Sequence, residues 1–211
     1  MILGALAASS SLFTAGTASP AFKRQASQTA QDKVVQYLQN NNQVTWQPAG
    51  NGHYVDIHED TLKQAMAAVV EKKNNKDKRG TPNNGNIAGY AVTKTVCYNG
   101  GALATDDDIT QFAVDACDAL VGNTLPPLAQ NALRIWQSVQ QTDVNGLASY
   151  IRYGVRLLKP TTIADTSLCQ AAVDAFNNYC QNGNGDSNGG ELDVGGVVRF
   201  SADPTDLTTN N

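Results

Sequence analysis

Two histidines, four cysteines and nineteen carboxylates are the side chains of this 211-residue sequence best suited to chemistry. The histidines, His53 and His58, both lie in the run HYVDIHED. With Glu59 and Asp60 they could hold a metal ion, but the same run reads equally well as a polar strand entering a helix cap. No histidine follows position 58. A segment beginning after Arg79 therefore lacks Ser-His-Asp, Cys-His and histidine-based ribonuclease chemistry. Acids remain. Asp106, Asp107 and Asp108 could bind calcium or work as acid and base. Three acids before an apolar periodic run are also how a helix begins, since negative charge suits the positive end of its dipole. Asp186, Glu191 and Asp193 flank a glycine-rich loop without EF-hand spacing. The Asn-Gly loops at 99–101 and 181–190 lack the Gly-Lys-Ser/Thr ending of a phosphate loop. No cofactor is implied.

The cysteines, Cys97, Cys117, Cys169 and Cys180, are not spaced as a zinc site and have no histidine beside them. An even number in an exported chain reads as disulfides, with three pairings open. The elements that carry them narrow the choice. Ile87 to Tyr98 alternates and is rich in β-formers. Asp106 to Val121 has helical periodicity, with Asp106 or Asp107 as cap and Gly122-Asn123 as stop. Ala132 to Gln140 and Leu147 to Leu158 read as a hairpin about the turn DVNG. Asp165 to Cys180 is a second capped helix, and Glu191 to Ser201 a last strand. The order β-α-β-β-α-β predicts an α+β fold, a ferredoxin-like two-layer sandwich with both helices on one face of the sheet. In that topology Cys97 and Cys180 meet at one end, and Cys117 and Cys169 at the other. A helix rising roughly 16 Å separates Cys169 from Cys180, beyond disulfide reach. Trp136, Tyr150 and Tyr153 on the hairpin form either a contact surface or part of the core.

Upstream, residues 1–18 (MILGALAASSSLFTAGTA) carry no charge, an apolar stretch and small residues at Gly16 and Ala18, the pattern of an export signal. Lys23-Arg24 follows at once. A second pair, Lys78-Arg79, precedes the exposed-looking GTPNNGN. Both suit a processing protease that cuts after Lys-Arg. From Phe22 to Arg79 the sequence has nine Lys/Arg against six Asp/Glu; from Gly80 onward it has six against thirteen. This change of sign at the second pair divides the chain into a signal (1–18), a propiece (19–79) and a mature domain (80–211). The propiece has helical patterns at Lys33–Gln39 and Asp60–Lys72 and a strand-like run at Gly52–Ile57. Being short and without cysteine, it is expected to pack on the mature domain or to assist its folding.

The layout TVCYNGG, ACDALVG, CQAAVDAFNNYC, the pair Gly189-Gly190 and the ending RFSADP with Asp203-Pro204 resembles small cysteine-containing fungal secreted proteins. It is similar to the smut-fungus viral killer toxins and their effector-like relatives. The resemblance covers about 120 residues after Arg79 and implies a secreted, non-enzymatic protein acting on a host or a competing microbe. An acid-residue glycan hydrolase and a cell-wall structural protein are the other readings of the same composition. The net charge of −4 argues against nucleic acid as a partner. Intact mass of the secreted protein is expected to show a species beginning at Gly80 that gains about 4 Da on reduction, two hydrogens for each disulfide. A chain that is uncut or gains no mass would contradict this reading.

Overall fold

The computed structural model describes residues 30–69, 85–98, 102–122, 125–144, 146, 148–160, 165–181 and 184–206. The export signal, Lys23-Arg24 and Lys78-Arg79 lie outside them. The elements in chain order are α1 (Ala30–Asn40), β1 (Gln47–Ala49), β2 (Gly52–Ile57), α2 (Glu59–Val69), β3 (Asn86–Ile87), β4 (Tyr90–Cys97), β5 (Ala104–Thr105), α3 (Asp106–Gln111) and α4 (Ala113–Val121). They continue with β6 (Leu133–Ser138), β7 (Gln141–Thr142), β8 (Ala148–Leu157), α5 (Thr166–Cys180), β9 (Asp186–Ser187), β10 (Gly190–Val194) and β11 (Val198–Asp206).

One antiparallel sheet runs β1-β2-β6-β8-β11-β10-β4-β3, with β7 alongside β8; β5 and β9 pair separately. The ferredoxin-like expectation is overturned. That fold sets its first and third strands side by side and parallel. Here the final strand is a hairpin instead: β10 and β11 turn back on each other at Gly195-Gly196, whose φ of 59° and 65° suit only glycine readily. β11 pairs with β8 over nine residues and β10 pairs with β4, so the hairpin separates the strands that a plait would join. The second departure lies upstream. β2 pairs with β6 from Gly52↔Ser138 to Ile57↔Leu133, so residues 30–69 extend the same sheet.

Helices cover both faces. Strand alternation sends Trp136, Ile151, Tyr153, Val155, Leu192 and Phe200 into one core with α3, α4 and α5. On the opposite face Val55, Ile57 and Ile135 pack under Val34, Val35 and Leu38 of α1 and Leu62 and Ala65 of α2. The single helix expected over Asp106–Val121 is two. Phe112 (φ −96°, ψ −2°) is at once the C-cap of the first and the N-cap of the second, and its ring centre lies 6.3 Å from that of Trp136. Thr105, rather than Asp106 or Asp107, caps α3: its hydroxyl accepts the Asp108 N–H, and the Asp108 carboxylate accepts the Thr105 N–H. Asp165 caps α5 through the Leu168 N–H.

The disulfides are Cys97–Cys180, joining β4 to the end of α5, and Cys117–Cys169, joining α4 to α5. They close separations of 83 and 52 residues, each stabilising by about 4 kcal/mol on chain-entropy grounds. Neither reaches residues 30–69. That segment is held by polar contacts through the sheet. Arg134 is fully buried, grips both carboxylate oxygens of Asp56 at 2.6 and 2.7 Å and donates to the carbonyls of Leu120 and Pro126. Arg152, also buried, donates to Asp32 at 2.5 Å, to the Tyr150 hydroxyl at 2.7 Å and to Gln137 at 3.1 Å. Thr205 adds a hydroxyl to the same Asp32 oxygen.

A buried ion pair is expensive to break from one side, because the surviving charge keeps its desolvation cost. Asp32→Asn is therefore expected to destabilise the full chain by about 3 kcal/mol or more, measured by urea unfolding. Adding Arg152→Met is expected to recover much of that loss. Additive losses in the double variant would refute the pairing argument.

Candidate functional site

A cleft opens where α1 and α2 meet the sheet. Its apolar wall is Val34, Leu62, Met66 and Leu133; its polar side is Gln31, Gly154, Arg156, Ser201, Arg199 and Glu191. The cleft is partly open to solvent and has a volume of about 100 Å³. Each side chain has a reason to be there. Val34 and Leu62 belong to the inward faces of α1 and α2. Arg156, Gly154, Ser201 and Arg199 occupy the strand positions that alternate away from Val155, Phe200 and Ala202. Gly154 makes the floor: a Cβ there would lie 2.4 Å from the Ser201 hydroxyl oxygen and 3.5 Å from the Gln31 amide.

The polar groups divide into satisfied and unsatisfied. Arg199 is saturated. Its Nε and one terminal nitrogen hold Asp193 at 2.5 and 2.9 Å, and the other approaches Glu191 at 3.3 Å. The hydrogen bonds it donates to Asp193 hold its charge firmly, with its pKa raised above the usual arginine value. Tyr98 donates to Glu191 at 3.4 Å; burial first, then the charge of Glu191, pushes its hydroxyl well above the ordinary tyrosine range. Gln31 accepts the Ser201 hydroxyl at 2.9 Å, but its amide nitrogen has no partner. The Arg156 Nε is likewise buried and unpartnered. Two unmet donors, one on a cation, thus sit around a half-apolar hollow. Such a site recognises an acceptor. Its hydroxyl, Ser201, has no base beside it, and its carboxylate, Glu191, is tied to Arg199.

Of the two readings open for Trp136, Tyr150 and Tyr153, contact surface or core, the structure has the core. Trp136 and Tyr153 are completely buried and Tyr150 nearly so. Each polar tip has an internal partner: Trp136 donates to the Ala49 carbonyl, Tyr153 to the Ile109 carbonyl, and Tyr150 accepts Arg152. His53 and His58 are exposed. Among the described residues no three His, Cys, Asp or Glu side chains are gathered for a metal ion. Asp106, Asp107 and Asp108 open α3, while Glu191 and Asp193 are joined by Arg199 on the sheet; the acids do not converge on one site. The cleft itself escaped the sequence, although Arg156 and Arg199, each adjoining buried apolar residues in its strand, carried a trace of it.

No protein-family model, no curated protein and no solved structure matched the chain. Among the described residues no helix is long and apolar enough to cross a membrane. The two disulfides are of the kind that persists in an oxidising compartment.

One acid away from the cleft has a pH consequence. Partial burial, then the charges of Asp107 and Asp186, raise the Asp106 carboxyl above its ordinary value, against the lowering effect of a hydrogen bond from Gln181. A raised folded-state pKa means the folded protein holds this proton more tightly. The group therefore favours folding in acid and loses that contribution as pH rises through the folded pKa. Asp106→Asn, which keeps an acceptor for Gln181, is expected to raise the melting temperature slightly at pH 7 and not at pH 3. An equal or opposite change at the two pH values would contradict this.

Proposed function

We propose that this is a secreted protein that works by binding rather than by catalysis, an effector or killer-toxin-like protein directed at a host or a competing microbe. The observation that supports it is the cleft between the N-terminal helices and the sheet. It joins apolar walls to unmet donors and lacks the partners of a catalytic group. A glycan hydrolase would need two carboxylates roughly 5–10 Å apart across a cleft; among the residues lining this one, the single carboxylate is already bound to Arg199.

On this reading export places the chain where its disulfides form, and a processing protease cuts after Arg79. Residues 30–69 then remain as a working part of the protein, since they supply four of the cleft's ten lining residues and two strands of its sheet. The mature form is two chains held together without a covalent link.

The test is a biological assay of the full secreted protein purified from medium, applied to host tissue or competitor cells, alongside Arg156→Gln. Arginine 156 makes no hydrogen bond or ion pair that the fold requires, so the variant is expected to fold and to lose at least about tenfold in potency, the worth of one charge-assisted contact. Hydrolysis of a glycan by the purified protein, abolished by changing one acid, would replace the binding reading with an enzymatic one.

A further inference from the structure

The cleft's unmet demand is specific enough to name a ligand class. Arginine has donors and no acceptor. Gln31 has its acceptor occupied by Ser201, which leaves its amide donor. Arg199 is saturated by Asp193 and Glu191. Glu59, whose charge is felt around Arg156, is taken by Lys63 at 2.6 Å and by Asn131 at 3.2 Å. What remains unmatched is one guanidinium and one amide donor. An amine or other cation would meet the charge of Arg156. An alcohol would bring no charge to answer that of the guanidinium. Inorganic phosphate would leave Val34, Leu62, Met66 and Leu133 facing a fully hydrated ion.

We propose that the cleft between α1, α2 and the sheet binds a short aliphatic monocarboxylate. Its carboxylate would sit on Arg156 and Gln31, and its alkyl chain along Val34, Leu62 and Met66. The proposal rests on the reading of this cleft as a binding site. Size agrees: an apolar cavity of roughly 150 Å³ admits benzene, so about 100 Å³ holds a carboxylate with a chain of a few carbons. The exposed Met66 marks where a longer chain would emerge. Both donor nitrogens are covered by neighbouring side chains, so a ligand engages them as the guanidinium turns on its flexible stem. Gly154 is the residue that leaves room, because any side chain there would enter the cleft floor.

The experiment is a calorimetric and NMR titration of the intact secreted protein with butanoate and hexanoate, with hexan-1-ol and hexylamine as neutral and cationic counterparts. Saturable binding of the carboxylates is expected, at least about tenfold tighter than the alcohol, because a charge-assisted contact is worth that much. Arg156→Gln should remove the preference for the carboxylate over the alcohol. Met66→Trp, at the exposed rim, should weaken both without touching the core. Equal affinity for hexanoate and hexan-1-ol, binding unchanged by both variants, or no binding at millimolar ligand would overturn the proposal. The two readings fail separately. If Arg156→Gln abolishes biological potency while carboxylates do not bind, the ligand class is wrong and the binding function stands. If carboxylates bind through Arg156 while potency is unaffected, the ligand site stands and the functional reading falls.

Discussion

Arg152 is buried in the middle of the sheet, and a buried cation without a counter-charge is not tolerated. Asp32, 120 positions earlier, supplies that charge. The pair determines much else. It brings α1 down onto β8 and β11, where Thr205 and Ser201 join it through Asp32 and Gln31. With α1 in place, Val34, Val35 and Leu38 close over Ile135, and α2 completes the layer. Arg134 repeats the device on the opposite face through Asp56. Alternate positions of neighbouring strands thus carry an arginine to each face, and each is neutralised by an acid from the N-terminal segment.

Local structure was largely legible in the sequence, because it depends on neighbours. The α5 cap at Asp165, the strand at Gly52–Ile57 and the hairpin of β6 and β8 follow from periodicity and turn residues. The disulfide pairing was legible in part: one helix holds Cys169 and Cys180 at opposite ends, which excludes their pairing, whereas the choice between the other two came from a plait topology that the structure does not have. Global topology was not. Whether Gly195-Gly196 sits within a strand or bends it into a hairpin is decided by what lies on either side, and β4 and β8 are the strands it divides. Nor does a charge change at Lys78-Arg79 reveal that the segments it separates share a sheet.

The cleft was illegible for a related reason. Its ten lining residues come from six elements, and none belongs to a motif. An arginine in a strand ordinarily reads as an outward-facing residue. Arg152, Arg156 and Arg199 have three different fates, namely pairing with a distant acid, absence of a partner, and saturation by the adjoining strand. Only the assembled layers distinguish them. The aromatic residues left surface and core equally open until packing decided: the polar tips of Trp136 and Tyr153 find backbone carbonyls, and their rings lie tilted 5.9 Å apart in the core.

Both disulfides lie on one side of the division between residues 69 and 85, and this has a consequence in mass action. While the chain is continuous, α1, β2 and α2 are held near their sites by the tether, and their docking is independent of how dilute the protein becomes. A cut in that stretch turns docking into an encounter between two molecules. The effective concentration that a covalent tether provides is replaced by the actual concentration of the two fragments. From then on the occupancy of the N-terminal layer depends on dilution, and reductant has no direct hold on it. Dilution alone would then decide how much of the sheet, with Arg152 upon it, stands uncovered.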